Sequence, residues 1–340
     1  MSNIPCSRRQ VLQYMATLSV LSALPITVLA QIITRQPPRS RFNSSSTAEE
    51  VTEGINLSGL TIAITGANSG LGYETMRVLA LRGAHVIGIA RTQERADEAC
   101  ASVKGHTTPM FLDLADWASV VRCAEGIRAM NIPLDGLITN AGIMALPELQ
   151  LVNGVEAQFA VNHLGHFILI NQLREPVLAA PQGRFTLLSS RAHRRADRGI
   201  EFDNLDGSQG YDPWRAYGVS KLANALCARE LAAQISHTDA TANSVHPGII
   251  PTNLVKNLPG WQRWGAKYFG WAFLKTIPEG AATTCYVATN PELVDVRGFY
   301  FVDCNVDEGS VHLRDDAMAK KLWQVSEELT RDYLPSRQGA

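Results

Sequence analysis

One stretch limits the architecture of this chain more than any other. Leu60-Thr-Ile-Ala-Ile-Thr65 is a short apolar and β-branched run that enters a turn holding Gly66, Gly70 and Gly72. It continues into Tyr73-Glu-Thr-Met-Arg-Val-Leu-Ala-Leu-Arg82, with apolar residues at helical spacing, and stops at Gly83. The first run suits a parallel strand buried on both faces, and a glycine after the last periodic residue ends a helix. Strand, glycine turn and helix together form the context of a dinucleotide fingerprint. One glycine permits the tight turn, another lets the backbone approach a pyrophosphate, and a third lets helix and strand pack closely. The helix N-terminus then offers free N–H groups and partial positive charge to phosphates. A glycine-rich turn with no ligand is the plain alternative, and its flanks argue against it.

Strand-like and helical segments alternate from Leu60 to Val302, which predicts an α/β fold: a single Rossmann-type, doubly wound parallel sheet with helices on both faces. With 340 residues, 46% of them hydrophobic, and a net charge of −1, the chain has room for one globular domain plus an appendage. The charge balance gives no reason to expect nucleic acid. The second strand, His85-Val-Ile-Gly-Ile-Ala90, ends at Arg91. An acidic residue there would bind ribose hydroxyls, whereas an arginine suits a 2′-phosphate. Arg91 therefore favours NADP over NAD, the alternative being a surface arginine at a strand end. Asp113 closes the segment Met110-Phe-Leu-Asp113 and either reaches the adenine rim or caps the following helix.

The segment from Asp212 to Gln234 reads as one long helix, with Asp212-Pro213 as cap and first turn. Tyr217 and Lys221 stand four residues apart on it and share a face. A free phenol has a pKa near about 10; a neighbouring ammonium favours the phenolate and lowers that value toward one useful for proton transfer. Arg184-Phe-Thr-Leu-Leu-Ser-Ser190 is a strand ending in paired serines, at the edge where ligands of open α/β sheets sit. Asn140-Ala-Gly142 follows the strand Leu134-Asp-Gly-Leu-Ile-Thr139, and Asn162 lies amid apolar neighbours in a helix-like stretch. His163 and His166 lack a third ligand at convincing spacing, so no metal is expected.

Thr65-Gly-Ala-Asn-Ser-Gly-Leu-Gly72, Asn140-Ala-Gly142, Asn162, Ser190, Tyr217-Gly-Val-Ser-Lys221 and Pro247-Gly248 together resemble the short-chain dehydrogenase/reductase superfamily. Asn162-His-Leu-Gly-His-Phe167 and Glu279-Gly-Ala-Ala-Thr283 are similar to its retinol dehydrogenase and WW-domain oxidoreductase branch. The resemblance spans residues 58 to 330. It implies Tyr217 as acid/base, Lys221 as the group that holds the nicotinamide ribose and tunes Tyr217, Ser190 as the group that orients the substrate oxygen, and Asn162 as carrier of a proton-relay water. It further implies cofactor contacts at Gly66, Asn68, Ser69, Gly70, Leu71, Gly72, Arg91, Asp113, Leu114, Asn140, Ala141, Gly142, Tyr217, Lys221, Pro247, Gly248 and Thr252.

Outside that core, Ser7-Arg-Arg-Gln-Val-Leu12 precedes an uncharged run lasting to Thr34, with Val28-Leu-Ala30 near its end. Residues 1–30 look like a twin-arginine signal with a small-residue cleavage site, which implies a periplasmic destination. The alternative is an uncleaved membrane anchor, since the run is long enough to span a bilayer. Residues 31–57 read as a flexible linker, and 58–335 as the catalytic domain. An insertion over 250–276 carries Trp261, Trp264, Tyr268, Phe269, Trp271 and Phe273 and serves as a substrate lid, a docking surface for a membrane or subunit, or ordinary core. The six cysteines show no metal spacing and read as buried thiols.

The expected activity is NADP(H)-dependent interconversion of an alcohol and a ketone or aldehyde on a small apolar, retinoid- or steroid-like substrate, by a chain that admits homo-oligomers. Two rivals stand beside it. One is C=C reduction of the protochlorophyllide-reductase type, a branch that carries cysteines where this chain has Leu222-Ala-Asn224. The other is a catalytically silent NADP-binding interaction module.

Overall fold

The computed structural model describes residues 37–248 and 275–335. The twin-arginine-like segment, Thr252 and nearly all of the aromatic insertion lie outside the described residues.

Eight strands form the central sheet. They are β1 (Thr61–Thr65), β2 (His85–Ala90), β3 (His106–Phe111), β4 (Gly136–Thr139), β7 (Arg184–Leu188), β8 (Thr241–His246), β9 (Tyr300–Val302) and β10 (Asn305–Val306), with β5 (Leu151–Val152) and β6 (Val155–Glu156) paired apart as a small hairpin. The order across the sheet is β10-β9-β8-β7-β4-β1-β2-β3. Every neighbouring pair is parallel except β9–β10. The chain therefore winds outward from β1 to β3 and restarts on the other side with β4. The crevice at the carboxyl ends of β1 and β4 is the topological switch point where such sheets take ligands.

The helices are α1 (Ala48–Val51), α2 (Gly70–Leu81), α3 (Gln93–Ser102), α4 (Trp117–Ala129), α5 (Ala157–Phe159), α6 (Gly165–Leu178), α7 (Pro213–Gln234), α8 (Ile277–Thr289) and α9 (Asp316–Thr330). They form two layers. Met76, Leu79, Cys100, Cys285 and Tyr286 fill the face under α2, α3 and α8; Trp117, Phe167, Leu222, Leu226 and Trp323 fill the face under α4, α6, α7 and α9. The strands between are buried on both faces, β1, β4, β7 and β8 without exception. This is why β1 and β4 read as apolar or β-branched runs, while β7 and β8 also bury Arg184, Asn243 and His246, each hydrogen-bonded. Cys100, Cys123, Cys227, Cys285 and Cys304 are free and buried.

The expected linker departs from the expectation where it is described. Residues 37–57 are held against the sheet. Ser40 N–H donates to Asn305 Oδ1 at 3.0 Å, and Asn305 Nδ2 donates back to the Phe42 carbonyl at 3.0 Å. Thr47 and Glu50 close a capping box on α1, and Arg77 of α2 binds Glu49 at 2.6 Å. Ala48 and Val51 enter the core. The folded unit begins at Pro37 rather than at 58. Among the described residues no helix is long and apolar enough to cross a membrane.

Candidate active site

The glycine turn is built for close approach. Gly66 adopts φ +72° and Gly70 φ +56°, values that L side chains rarely take. A Cβ on Gly72 would stand 2.2 Å from the Gly66 carbonyl oxygen, backbone against backbone. Ser69 caps α2 without a side-chain hydrogen bond to the first turn, so the donors of that turn keep their capacity for an anion. Asn68, Ser69 and Leu71 sit on the same turn, Ser69 exposed. These features fit a dinucleotide phosphate.

The neighbouring strand ends complete the cradle. Arg91 lies exposed just beyond β2. Beyond β3, Asp113 Oδ1 accepts the Ala115 N–H at 3.0 Å, while Asp116 takes the cap of α4. Asp113 is thus a turn residue just beyond β3 and not a helix cap. The Leu114 carbonyl packs where a Cβ on Gly165 would stand, at 2.7 Å. After β4, Asn140 Nδ2 donates to the Thr65 carbonyl at 2.8 Å, and the N–H groups of Asn140 and Ala141 both donate to Thr65 Oγ1. This zips the ends of β1 and β4 together. A Cβ on Gly142 would lie 2.9 Å from Asn162 Oδ1 and 3.5 Å from Lys221 Nζ, so Gly142 keeps the floor beside the lysine open. Pro247 and Gly248 follow β8, with Gly248 at φ +100° against the Lys275 stem.

The helix that bears Tyr217 and Lys221 forms as the sequence predicts. Asp212 caps α7 through the Arg215 N–H, Pro213 opens it, and it runs unbroken to Gln234. Lys221 Nζ stands 5.7 Å from the Tyr217 ring centroid and donates to the Leu188 carbonyl at 3.2 Å, joined there by Asn224 Nδ2 at 2.9 Å. The serine pair divides its labour. Ser189 Oγ is buried and donates to the Lys221 carbonyl at 2.7 Å, while the Ser190 hydroxyl faces Tyr217. Asn162 sits in a π-helical turn, Ala160–Leu164, between α5 and α6. Its side chain clasps Ile143, accepting from the N–H at 2.8 Å and donating to the carbonyl at 2.9 Å, and donates to Ser220 Oγ at 3.0 Å.

One electrostatic expectation is reversed. The ammonium was expected to lower the Tyr217 pKa, yet burial pushes it up to about 12, with the Ser190 hydroxyl pulling the other way. Burial also pushes Lys221 down to about 8. Tyr217 is 9% exposed and Lys221 4%. The pair shares one dry site, and stripping water from the phenolate outweighs the Ser190 hydrogen bond. At neutral pH the phenol therefore keeps its proton.

Sequence reasoning missed four residues. Trp214 stands three positions before Tyr217 on the same helical face; the ring centroids are 6.4 Å apart and nearly perpendicular, and the Arg195 guanidinium lies 5.9 Å over the indole. The i−3 spacing was the available signal. Ser220 holds Asn162. Fully buried Gln158 accepts the Ala145 N–H at 2.6 Å and donates to the Pro213 carbonyl, pinning a loop whose Ala145 has φ +49° to the start of α7. His163 joins the π turn to Ser326 of α9 at 2.8 Å. Ser326 spends its own proton on the Leu322 carbonyl, so His163 Nε2 is the donor. Among the described residues no group of three His, Cys, Asp or Glu side chains is placed to hold a metal.

A glycine cradle at the switch point and a Ser190–Tyr217–Lys221 cluster one strand away are joined by a match of the short chain dehydrogenase family model over residues 60–263. The chain belongs to the short-chain dehydrogenase family. It is 40% identical over 89% of its length to the chloroplastic short-chain dehydrogenase TIC 32 A of Brassica napus, covering 98% of that protein. It is 37% identical over 90% of its length to the human WW domain-containing oxidoreductase, covering 76% of it. Human retinol dehydrogenase 14 is 38% identical over 79% of this chain and 85% of its own. Among solved structures, an uncharacterised protein from Mycobacterium paratuberculosis matches with TM-score 0.66 at 33% identity, over 84% of this chain and 98% of that one. The family and fold make this chain an oxidoreductase of the NAD(P)-binding kind.

Proposed function

We propose that this short-chain dehydrogenase uses NADP(H) to interconvert an alcohol and a ketone or aldehyde on an apolar, retinoid- or steroid-like substrate. The observation that carries the reading is the Ser190 hydroxyl facing a buried, protonated Tyr217, with Lys221 one helical turn on and Gly142 leaving the floor beside it open. When bound, a nicotinamide supplies or takes the hydride. Ser190 Oγ orients the substrate oxygen, and Tyr217 gives that oxygen its proton in the carbonyl-reducing direction or takes it from the alcohol. The Lys221 ammonium lies close enough to favour the phenolate when Tyr217 has given its proton up.

Two features support the finer choices. Arg91, exposed at the end of β2, presents a guanidinium where an adenosine 2′-phosphate would arrive. Half-buried Trp214 beside Tyr217 supplies an apolar wall, and a relative named retinol dehydrogenase agrees with it. A panel of retinoid, steroid and short-chain alcohols and carbonyls, followed at the NADPH absorbance band, tests the substrate class; no turnover of any member overturns the reading. Arg91→Asp is expected to weaken NADPH far more than NADH, because a charge-assisted contact becomes a repulsion. Equal losses make Arg91 structural.

For the N-terminal segment we propose export through Ser7-Arg-Arg-Gln-Val-Leu12, with the mature chain starting near Gln31. Intact mass of material from a bacterial host decides this: a mass that retains Met1 to Ala30 overturns cleavage.

A further inference from the structure

His166 lies on α6 four residues beyond Asn162, is 2% exposed, and has no part in the chemistry described above. Its two ring nitrogens contact two different parts of the site. Nε2 is 2.9 Å from Thr65 Oγ1 at the end of β1, and Nδ1 is 2.9 Å from the Asn162 carbonyl oxygen in the π turn.

The hydrogen positions follow by elimination. A threonine hydroxyl has one proton to give and two lone pairs to receive with. Both lone pairs of Thr65 Oγ1 are taken, by the N–H of Asn140 at 2.9 Å and the N–H of Ala141 at 3.0 Å. The third contact must be the hydroxyl donating, so His166 Nε2 accepts and carries no proton. In a neutral imidazole the hydrogen then resides on Nδ1, where it meets the Asn162 carbonyl as a donor should. A charged ring would set Nε2–H against the Thr65 hydroxyl proton. Burial and the nearby Lys221 charge both hold the ring neutral, down to about 4.

We propose that His166 is a positioning residue that couples the cofactor cradle to the π turn bearing Asn162, its Nδ1–H tautomer fixed at both ring nitrogens, by the Asn140-Ala141 backbone through Thr65 and by the Asn162 carbonyl. The inference rests on the oxidoreductase reading for its catalytic consequence and on hydrogen bonding alone for its tautomer. His166 thereby fixes the direction of the Asn162 carbonyl at the π turn. With the opposite tautomer, the bare Nδ1 would face the carbonyl lone pair to lone pair and push Asn162 aside. The loop that bears Gly142, beside Lys221, therefore sets the state of a carbonyl on the next helix through three hydrogen-bonded groups and no charge.

Nitrogen-15 NMR of histidine-labelled protein reads the tautomer without any turnover. The expected spectrum has a protonated-type Nδ1 and an unprotonated-type Nε2, unchanged between about pH 5 and pH 8. Thr65→Ser keeps that pattern, and Thr65→Val keeps it too, because the Asn162 carbonyl still takes the Nδ1 proton, while Nε2 loses its donor. Two replacements divide the contacts: His166→Asn retains a donor at the Nδ1 position, and His166→Gln retains an acceptor at the Nε2 position. NADPH affinity is expected to fall about three- to tenfold in His166→Asn and to hold in His166→Gln, whose kcat falls by a similar factor, the worth of one hydrogen bond. An Nε2–H ring in the unaltered protein, a ring that titrates near neutrality, or equal losses of both quantities in both replacements overturns the proposal. Absence of turnover on every substrate overturns the activity reading and leaves the NMR and NADPH-binding results to judge this one.

Discussion

The two halves of the site are made by opposite means. On the cofactor side, at the ends of β1, β2 and β4, the decisive features are missing atoms: Gly66, Gly72 and Gly142 leave space that any Cβ would fill, and the donors are backbone. On the proton-transfer side, at the end of β7 and along α7, the decisive features are polar side chains forced out of water, with Tyr217 moved up to about 12 and Lys221 down to about 8. The first half is limited chiefly by shape, and its charge comes from exposed or backbone groups that water still reaches. The second fits its groups comfortably and pays in desolvation. Binding and proton transfer can therefore be damaged separately, and by different kinds of substitution.

The largest separation is expected from Tyr217→Phe. It keeps the ring and removes the proton, so turnover should drop by about 10²–10⁴-fold while NADPH titrates as before. Turnover within a factor of about three of the unaltered enzyme would remove Tyr217 from the mechanism. Gly72→Ala should do the converse. Its Cβ meets a carbonyl oxygen at 2.2 Å, and relief requires α2 to move off β1, at about 1–3 kcal/mol of overpacking. Cofactor affinity and Tm should fall together; unchanged NADPH binding would show that the cradle tolerates a wider turn.

The smallest effect has the opposite sign. Lys221→Met should stabilise the fold by about 1–3 kcal/mol, because a buried ammonium is replaced by an apolar chain of similar length. The folded pKa of Lys221 lies below its unfolded value, so the unfolded chain binds more protons between about 8 and 10.5, and stability rises with pH across that window. Thermal melts at about pH 7 and about pH 10 should show the gain of Lys221→Met shrinking toward the alkaline end. A destabilised Lys221→Met at neutral pH would mean the Leu188 contact outweighs the desolvation.

The same contrast explains what the sequence could reveal. The cradle was legible because glycine geometry demands glycine, and because β1, buried on both faces, is apolar or β-branched along its whole length. Tyr217 and Lys221 were legible from a spacing of four on one helix. The direction of the Tyr217 shift was not, since burial is set by β7, the π turn and α7 closing together, and none of these is local to the tyrosine. His166 meets Thr65 across 101 positions and His163 meets Ser326 across 163; no periodicity records such partners. The docking of residues 37–57 escaped for another reason: a four-residue helix is too short to show a pattern, and its hold comes from one capping box, one ion pair to Arg77, the Arg82 hydrogen bonds to Thr52 and the Glu49 carbonyl, and the clasp on Asn305.

That clasp bears on how copies of this protein meet one another. A sheet of eight strands has two rims, and each rim offers unpaired backbone to any passing strand. At one rim, β10 is two residues long, and the Asn305 side chain is already bonded to the backbone of Ser40 and Phe42. At the other, β3 carries Pro109 in mid-strand, which has no N–H to extend a ladder. Growth of the sheet from molecule to molecule is thus discouraged at both ends, by a borrowed stretch of chain on one side and a missing hydrogen on the other.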